Sequence, residues 1–250
     1  MNSGKNVRFR IHRRENPSAP PRWEEFEVSY YPGMNVIGAL MEIQKNPATA
    51  DGKPTTPPAW EANCLEEVCG SCTMVINGAV RQACSALVVN LSQPIELRPM
   101  SKFPNLRDLK VDRSRMFEGL KKVGAWVPLD GTHALGAGPK VSPETQQKAY
   151  ALSRCMTCGC CLEACPQYHS RSQFIGAAAI SQVRLFNLHP SGAMNAGERL
   201  EALMGPGGVS NCGNAQNCVK VCPKEIPLTT SIGEVEWQVT QHAIKKLLGF

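Results

Sequence analysis

Cysteine is the residue type through which this chain could do chemistry. Its 250 residues include twelve cysteines, four between residues 64 and 84 and eight between residues 155 and 222. This density is too low for a disulfide miniprotein and too high for incidental packing. Arg13-Arg14 could begin a twin-arginine signal, but no apolar segment follows, so we expect that the chain is not exported. In the reducing cytosol, cysteines at this density are expected to be metal ligands or redox groups.

The first group of cysteines has the spacing of a plant-type 2Fe-2S site. Three thiols share one short loop and a fourth follows later: Cys64-x4-Cys69-x2-Cys72-x11-Cys84. Gly70 and Ser71 are small, so the backbone amides of the loop can reach the sulfur atoms. Zinc is the alternative, although only the x2 pair has the form of a zinc knuckle. The spacing therefore favours a 2Fe-2S cluster.

The second group consists of two runs with the bacterial ferredoxin pattern, in which the last cysteine of each run ligates the other cluster. The first run is Cys155-x2-Cys158-x2-Cys161-x3-Cys165-Pro166. The second run is Cys212-x2-Ala215-x2-Cys218-x3-Cys222-Pro223. The exchange gives a complete set of ligands for one 4Fe-4S cluster: Cys155, Cys158, Cys161 and Cys222.

The other site of this pair receives only three cysteines, Cys165, Cys212 and Cys218. Its fourth position is Ala215, and a methyl group cannot coordinate iron. The pattern thus leaves a 3Fe-4S cluster or a 4Fe-4S cluster with one open iron, as in aconitase-like lyases. The ligand count favours the 3Fe-4S cluster. Cys160 lies outside the spacing and is expected to be a small buried side chain rather than a ligand.

The rest of the composition narrows the class of function. The formal net charge is +6 without a long basic run, so we expect no nucleic-acid partner. No stretch approaches the roughly 20 apolar residues of a membrane-spanning helix. The chain has no dinucleotide fingerprint and no P-loop, and we assign no catalytic residue. One-electron transfer between two partner subunits is the chemistry that remains. The alternatives are a zinc-stabilised adaptor without redox activity and a lyase that uses the open iron.

Strands and one helix are predicted to position the first group. Alternating apolar residues at 7–11 and 26–30 predict two strands. Asn35 is predicted to cap a helix whose apolar face carries Val36, Ile37, Leu40, Met41 and Ile43. Asn77-Gly78 predicts a hairpin of residues 73–76 and 79–84, which would place Cys84 almost opposite Cys72.

The second group is predicted to lie among helices over residues 144–154, 174–186 and 198–204, and from about Ser231 onward. We therefore divide the chain into a plant-type 2Fe-2S domain at 1–110, a connector at 111–143 and a helical 4Fe-4S/3Fe-4S domain at 144–250. The connector carries one helix and a stretch rich in glycine and proline at 131–143. The predicted fold class is α+β.

These modules in this order resemble the iron-sulfur subunits of succinate dehydrogenase and fumarate reductase, respiratory complex II. The resemblance covers almost the whole chain, and it looks closest to the menaquinone-linked type of Bacillus-like bacteria. Its motifs are Cys64-Leu65-Glu66-Glu67-Val68-Cys69-Gly70-Ser71-Cys72, Val111-Asp112-Arg113-Ser114 and Cys218-x3-Cys222-Pro223-Lys224.

The resemblance implies a β-grasp fold for the first domain, docked on a flavoprotein subunit whose covalent FAD oxidises succinate to fumarate in the citric acid cycle. Electrons would pass through 2Fe-2S, 4Fe-4S and 3Fe-4S clusters to quinone at a membrane anchor, a cytochrome b subunit. The chain would be peripheral, at the cytoplasmic face of the cell membrane. A fumarate reductase that runs the same route in reverse is the nearest alternative.

One departure from the family bears on the quinone. Members that reduce ubiquinone have His directly after the cysteine matching Cys212 and Trp five residues after the one matching Cys165. This chain has Gly213 and Ser170 there, and only Pro166 agrees with that pocket. We therefore carry over no quinone ligands, and the departure favours the menaquinone-linked type with a dihaem anchor.

Overall fold

The structure is a computed structural model that describes residues 5–127 and 139–249. Most of the stretch rich in glycine and proline that was predicted at 131–143 thus lies outside the described residues. The chain forms two compact units. The first comprises Met1–Arg113 together with Met156–Glu163, and the second comprises Ser114–Cys155 together with Ala164–Phe250.

A five-stranded mixed sheet organises the first unit. Its strands are β1 (Asn6–Arg13), β2 (Arg22–Ser29), β3 (Thr73–Ile76), β4 (Ala79–Gln82) and β5 (Ile95–Arg98), in the order β2-β1-β5-β3-β4. Strand β1 pairs antiparallel with β2 and parallel with β5. The alternation in β1 buries Val7, Phe9 and Ile11 completely, which is the pattern of a strand with one face on a core.

Helix α1 (Val36–Lys45) packs on this core, and its cap is the predicted one. The side chain of Asn35 accepts a hydrogen bond from the Gly38 amide at 2.8 Å. Met41 was predicted on the apolar face, but it is 46% exposed. It follows the buried Leu40, and one residue turns a helix by about 100°, away from the core. A mixed sheet covered by one helix is the β-grasp arrangement that we expected.

A buried ion pair fixes the segment that leads to the first cysteines. Arg13 and Asp108 are each 1% exposed, and the Nε of Arg13 lies 3.0 Å from the Oδ1 of Asp108. The other oxygen of Asp108 accepts from the Ala59 amide at 2.8 Å, and Arg13 donates to the Thr56 carbonyl at 2.9 Å. Asp108 lies in the turn between two short strands, β6 (Asn105–Arg107) and β7 (Lys110–Val111). The approach to Cys64 is therefore tied to β1.

All regular elements among the described residues of the second unit are helices. They are α2 (Ser114–Lys122), α3 (Pro143–Ser153), α5 (Ala177–Leu188), α6 (Pro190–Ala193), α7 (Ala196–Met204), α8 (Asn217–Lys220) and α9 (Leu228–Leu248), whereas α4 (Cys160–Glu163) belongs to the first unit. Helix α5 begins later than predicted because Gly176, at φ 89°, leaves the helical region. The fold is α+β, as predicted.

Helices α5 and α9 pack together through a polar seam as well as apolar contacts. Arg184 donates two hydrogen bonds to the carboxylate of Glu234, at 2.7 and 2.6 Å. Ser181 and Ser231 lie within hydrogen-bonding distance of each other, at 3.4 Å. Helix α9 begins at Leu228 rather than at Ser231 as predicted. None of the helices in the described ranges has the length and apolarity to cross a membrane.

Candidate metal centres

The loop that begins at Cys64 surrounds the sulfur of that residue with backbone amides. The amides of Glu66, Val68 and Cys69 lie 3.4, 3.3 and 3.3 Å from the Sγ atom of Cys64. Leu65 and Glu67 make this possible, because both have left-handed backbone, at φ 62° and 55°. Such backbone costs an L-residue about 1 kcal/mol and persists where the surroundings demand it. The loop thus directs backbone N–H donors at a sulfur atom, which stabilises negative charge on it.

The surroundings of Cys69 favour its thiolate form. Its Sγ atom accepts hydrogen bonds from the amides of Cys64 and Ser71, both at 3.5 Å. Burial alone would raise the pKa of the Cys69 thiol, but the hydrogen bonds from Ser71 and Cys64 outweigh it and lower the pKa to about 6. Amide donors of this kind stabilise the charged ligand that an iron ion requires.

The hairpin brings Cys84 next to Cys72, as predicted. Strand β3 pairs with β4 so that Thr73 faces Gln82, and the Ala83 amide donates to the Cys72 carbonyl at 3.2 Å. The ladder ends at Gln82, two residues earlier than predicted, which leaves Cys84 free to turn toward the loop. Burial and the neighbouring Cys84 raise the pKa of the Cys72 thiol to about 12, so its proton has to leave when a metal binds.

Arg113 holds the loop of Cys64, Cys69 and Cys72 through two hydrogen bonds. Its two terminal nitrogens donate to the carbonyl oxygens of Gly70 and Ser71, at 2.7 and 2.6 Å. The cysteine spacing predicts no role for Arg113, although the residue lies in one of the motifs that carry the resemblance. A sequence signal existed, but only the fold shows that this arginine reaches the loop.

Two of the four cysteines predicted to ligate 4Fe-4S, Cys158 and Cys161, belong to the first unit. The hydrogen bond from Cys160 lowers the pKa of Cys158 to about 7, and the positive charge of Arg113 acts in the same direction against burial. Cys160 itself is fully buried, as expected of a packed side chain. The hydrogen bond that it donates to the Cys158 sulfur, together with burial, raises the pKa of the Cys160 thiol well above the ordinary range.

The remaining two predicted ligands of that cluster, Cys155 and Cys222, belong to the second unit. Cys155 follows α3, and its amide donates to the Leu152 carbonyl at 3.2 Å. Cys222 follows α8, and its amide donates to the Val219 carbonyl at 3.3 Å. Both cysteines are half-buried. That these two share a cluster with Cys158 and Cys161 stays a prediction from the spacing.

The second unit contains a cavity at which the three predicted ligands of the other site meet. The space between its walls is about 320 Å³, part of it open to solvent. Its lining residues are Cys165, Pro166, Gln167, Phe174, Ala177, Cys212, Gly213, Asn214, Ala215, Gln216, Asn217, Cys218 and Ile232. Burial raises the pKa of the Cys218 thiol, and the charges of Cys165 and Cys212, which line the same cavity, raise it further. Ala215 lies in the same wall, where the pattern would place a fourth ligand.

The cavity wall is built from constrained loops. Asn214 and Gln216 have left-handed backbone, at φ 50° and 59°, directly on either side of Ala215. The side-chain Nδ2 atom of Asn217 donates to the Ala164 carbonyl at 3.1 Å, which ties the two cysteine runs together. A cavity with three thiols, one methyl group and an enforced backbone fits a cluster that has three cysteine ligands.

Arg115, a second residue for which the cysteine spacing predicts no role, holds the loop after Cys165. The guanidinium of Arg115 lies 4.1 Å from the ring centroid of Tyr168. It also donates to the carbonyls of His169 and Ser172, at 2.7 and 2.6 Å. Because the loop is held at three points, the position of Cys165 at the cavity is fixed.

No three His, Cys, Asp or Glu side chains in the part of the chain that the structure describes have the spacing for a single metal ion. A cluster spreads its thiolates over two or more irons, so it requires a wider set of sulfurs.

Two family models match the chain, one for each group of cysteines. The 2Fe-2S iron-sulfur cluster binding domain matches residues 8–118. The 4Fe-4S dicluster domain matches residues 151–226. The chain therefore has cluster-binding domains, which decides against the zinc-stabilised adaptor.

Relatives match over nearly the full length. The succinate dehydrogenase iron-sulfur subunit of Bacillus subtilis (strain 168) is 57% identical over 249 residues, which cover 100% of this chain and 98% of that protein. The fumarate reductase iron-sulfur subunit of Wolinella succinogenes is 30% identical, over 92% of this chain and 95% of that protein. A chain of the Mycobacterium smegmatis Sdh1 complex in the apo form has the same fold, with a TM-score of 0.79 at 21% identity over 94% of this chain and 96% of that one.

The predicted resemblance is thus confirmed. The chain is one subunit of an enzyme complex that contains other subunits. The 57% identity over the full length agrees with the two cluster-binding domains, and both indicate the same family. The chain belongs to the family of succinate dehydrogenase iron-sulfur subunits, the electron-transfer subunits of respiratory complex II.

Proposed function

We propose that this chain carries electrons through three clusters with distinct ligand sets. The 2Fe-2S set is Cys64, Cys69, Cys72 and Cys84. The 4Fe-4S set is Cys155, Cys158, Cys161 and Cys222, and the 3Fe-4S set is Cys165, Cys212 and Cys218. One-electron transfer is the chemistry that such clusters supply when bound. The residues of the chain hold the clusters, exclude water from them and set their potentials.

The observation that carries this proposal is the cavity of the second unit. Cys165, Cys212 and Cys218 line it together with Ala215, which has no ligating atom. A cysteine at 215 would complete the bacterial ferredoxin pattern, and its replacement by alanine supports a three-iron site. A lyase with an open iron has no comparable support, because the cavity offers Gln167, Asn214, Gln216 and Asn217 rather than an acid-base pair.

The proposed donor is a flavoprotein subunit, in which FAD takes two electrons and two protons from succinate to give fumarate. The proposed acceptor is quinone at a membrane anchor, a dihaem cytochrome b subunit at the cytoplasmic face of the membrane. The much higher identity to a succinate dehydrogenase subunit than to a fumarate reductase subunit, 57% against 30%, supports succinate oxidation as the direction in the citric acid cycle.

Menaquinone is the proposed quinone, and the surroundings of Cys212 support it. A Cβ atom on Gly213 would lie 2.6 Å from the Nε2 atom of Gln167. The end of the Gln167 side chain thus lies over Gly213, on the side where a histidine after Cys212 would project. A purified complex is expected to reduce menaquinone analogues with succinate. Ready reduction of ubiquinone with no reduction of menaquinone analogues would contradict this part of the proposal.

The ligand exchange between the two runs can be tested with Cys222→Ser in the intact complex. We expect the EPR signal of the reduced 4Fe-4S cluster to change, because serine replaces one of its four thiolates, while the 2Fe-2S signal stays. Cys64→Ser is the matched variant and is expected to change the 2Fe-2S signal alone. A Cys222→Ser complex with an unaltered 4Fe-4S signal would contradict the ligand set.

A further inference from the structure

The peptide group between Gly70 and Ser71 forms hydrogen bonds at both of its ends. Its carbonyl oxygen, on Gly70, accepts from the Nη1 atom of Arg113 at 2.7 Å and from the hydroxyl of Thr73 at 2.8 Å. Its N–H, on Ser71, donates to the Sγ atom of Cys69 at 3.5 Å. One planar group thus connects a guanidinium with a sulfur that is predicted to ligate iron.

The two ends of this peptide group are coupled to each other. A donor at the carbonyl oxygen draws electron density out of the amide, and hydrogen bonds in a chain polarise one another in this way. Here the oxygen accepts from two donors, one of which is charged, and charge-assisted hydrogen bonds are about twice as strong as neutral ones. The N–H that faces Cys69 is therefore a stronger donor than an unassisted amide.

The partners of Arg113 leave its positive charge in place. The acceptors of its two terminal nitrogens are the carbonyls of Gly70 and Ser71, which are neutral. Its Nε atom is buried and has no hydrogen-bond partner in the parts of the chain that the structure describes. The buried Arg13, by contrast, pairs with two carboxylates. A neutral donor could hold the same carbonyls without an unsatisfied buried N–H, so fixing the loop does not by itself explain an arginine here.

A charge in this place acts on the reduction of a cluster. One-electron reduction adds negative charge to a cluster and to its ligand sulfurs, so hydrogen bonds to the sulfurs and nearby positive charge favour the reduced state. An arginine keeps its charge at every physiological pH, so this effect does not depend on a titration.

We propose that Arg113 raises the reduction potential of the 2Fe-2S cluster through the peptide group between Gly70 and Ser71. Arg113 is a positioning residue, because it acts on the sulfur of Cys69 through that peptide group. The inference rests on the proposed assignment of Cys69 as a ligand of this cluster.

The test is a potentiometric titration of the intact complex, followed by the EPR signal of the reduced 2Fe-2S cluster. Arg113→Gln removes the charge and keeps an amide donor. We expect the equilibrium constant for one-electron reduction to fall about tenfold, which lowers the midpoint by about 59 mV. The midpoint of the 3Fe-4S cluster should stay, because none of its proposed ligands lies in this loop. An equal fall at both clusters would overturn the proposal.

Arg8→Gln is the matched control. It removes the same charge from the same unit, but the side chain of Arg8 is 66% exposed, so solvent and salt screen its charge. We expect the 2Fe-2S midpoint of this variant to be that of the wild type. A fall as large as that in Arg113→Gln would make the net charge of the unit the cause and would overturn the proposal.

Arg113→Lys is the second arm, and it decides the question if Arg113→Gln fails to assemble. Lysine keeps the charge, but its compact ammonium group lacks the planar fork with which arginine reaches two carbonyls. We expect the equilibrium constant for reduction to fall about threefold, or about 28 mV in midpoint. A midpoint equal to that of the wild type, or above it, would overturn the proposal.

The outcomes separate this inference from the proposed function. A wild-type complex without a reduced 2Fe-2S signal contradicts the assignment of Cys69 as a ligand. A normal wild-type signal, with less iron in the Arg113 variants but the wild-type midpoint in the clusters that remain, would reduce Arg113 to a structural clamp and overturn the inference alone.

Discussion

Gly70 and Cys158 touch through their backbones. A Cβ atom on Gly70 would lie 2.7 Å from the Cα atom of Cys158 and 3.0 Å from the carbonyl oxygen of Met156. Gly70 belongs to the loop proposed to bind 2Fe-2S, and Cys158 to the first run of the dicluster pattern. The contact therefore leaves no room for a side chain between two cluster-binding segments, which keeps the route for an electron between them short.

Gly70→Ala should separate these segments. Alanine is strained at the φ of 71° that Gly70 adopts, and its methyl group would collide with backbone rather than with a flexible side chain. We expect loss of iron and sulfide from the purified complex and slow reduction of the remaining clusters by succinate. Gly78→Ala is the control, since Gly78 has φ 81° but no atom within 4 Å of an added Cβ. Equal cluster contents in the two variants would contradict the role of the contact.

Ala215→Cys should convert the proposed three-iron site into a four-iron site. The new thiol would stand in the wall that already holds Cys165, Cys212 and Cys218, so a fourth iron would gain its protein ligand. We expect the three-iron EPR signal of the oxidised complex to be lost and the potential of the site to fall. Ala215→Val changes the volume without adding a ligand and should keep the signal. An unchanged signal in the cysteine variant would argue against the ligand set.

Asp108→Asn should destabilise the first unit. Arg13, only 1% exposed, would keep its pair with Glu24 but lose its pair with Asp108, and removing one partner of a buried ion pair costs up to about 3–5 kcal/mol. Denaturant unfolding of the chain measures the loss, with Lys45→Met as the control because its pair with Glu42 lies at the surface. A change below about 1 kcal/mol, as expected for surface pairs, would show that the pair is dispensable.

The cluster-free chain should show an order of thiol reactivity that follows the pKa values. The thiolate is the reactive form, and the pKa of Cys69 is lowered to about 6, so Cys69 is mostly ionised at pH 7. Its alkylation rate should rise as the pH passes 6 and level off above pH 7. Cys160, with its raised pKa and full burial, should stay unmodified. Mass spectrometry after brief exposure to iodoacetamide measures both, and a faster reaction at Cys160 would contradict the arrangement.

Local patterns predicted most of the first unit. The alternation of β1, the Asn35 cap and the Asn77-Gly78 turn each depend on neighbouring residues, and each is present in the structure. Deviations occur at the ends of elements, as for α5, where the positive φ of Gly176 delays the helix. Such ends depend on contacts that a local pattern does not contain.

The cysteine spacing identified the cluster-binding segments, but it did not identify the residues that hold them. Arg113 and Arg115 act on carbonyls more than 40 residues away along the chain, at Gly70 and at His169. Gln82 was read only as part of a hairpin strand, yet its amide contacts Cys160, 78 residues further on. These contacts exist only after folding, so spacing arguments could not find them.

Eleven of the twelve cysteines are proposed to hold three different clusters. The most direct measurement is a count of iron and acid-labile sulfide in the purified complex, combined with EPR of the oxidised and reduced states. We expect the oxidised sample to give a three-iron signal and the reduced sample to give 2Fe-2S and 4Fe-4S signals, with iron in the proportions of two, four and three. An oxidised sample without a three-iron signal would contradict the assignment of Cys165, Cys212 and Cys218.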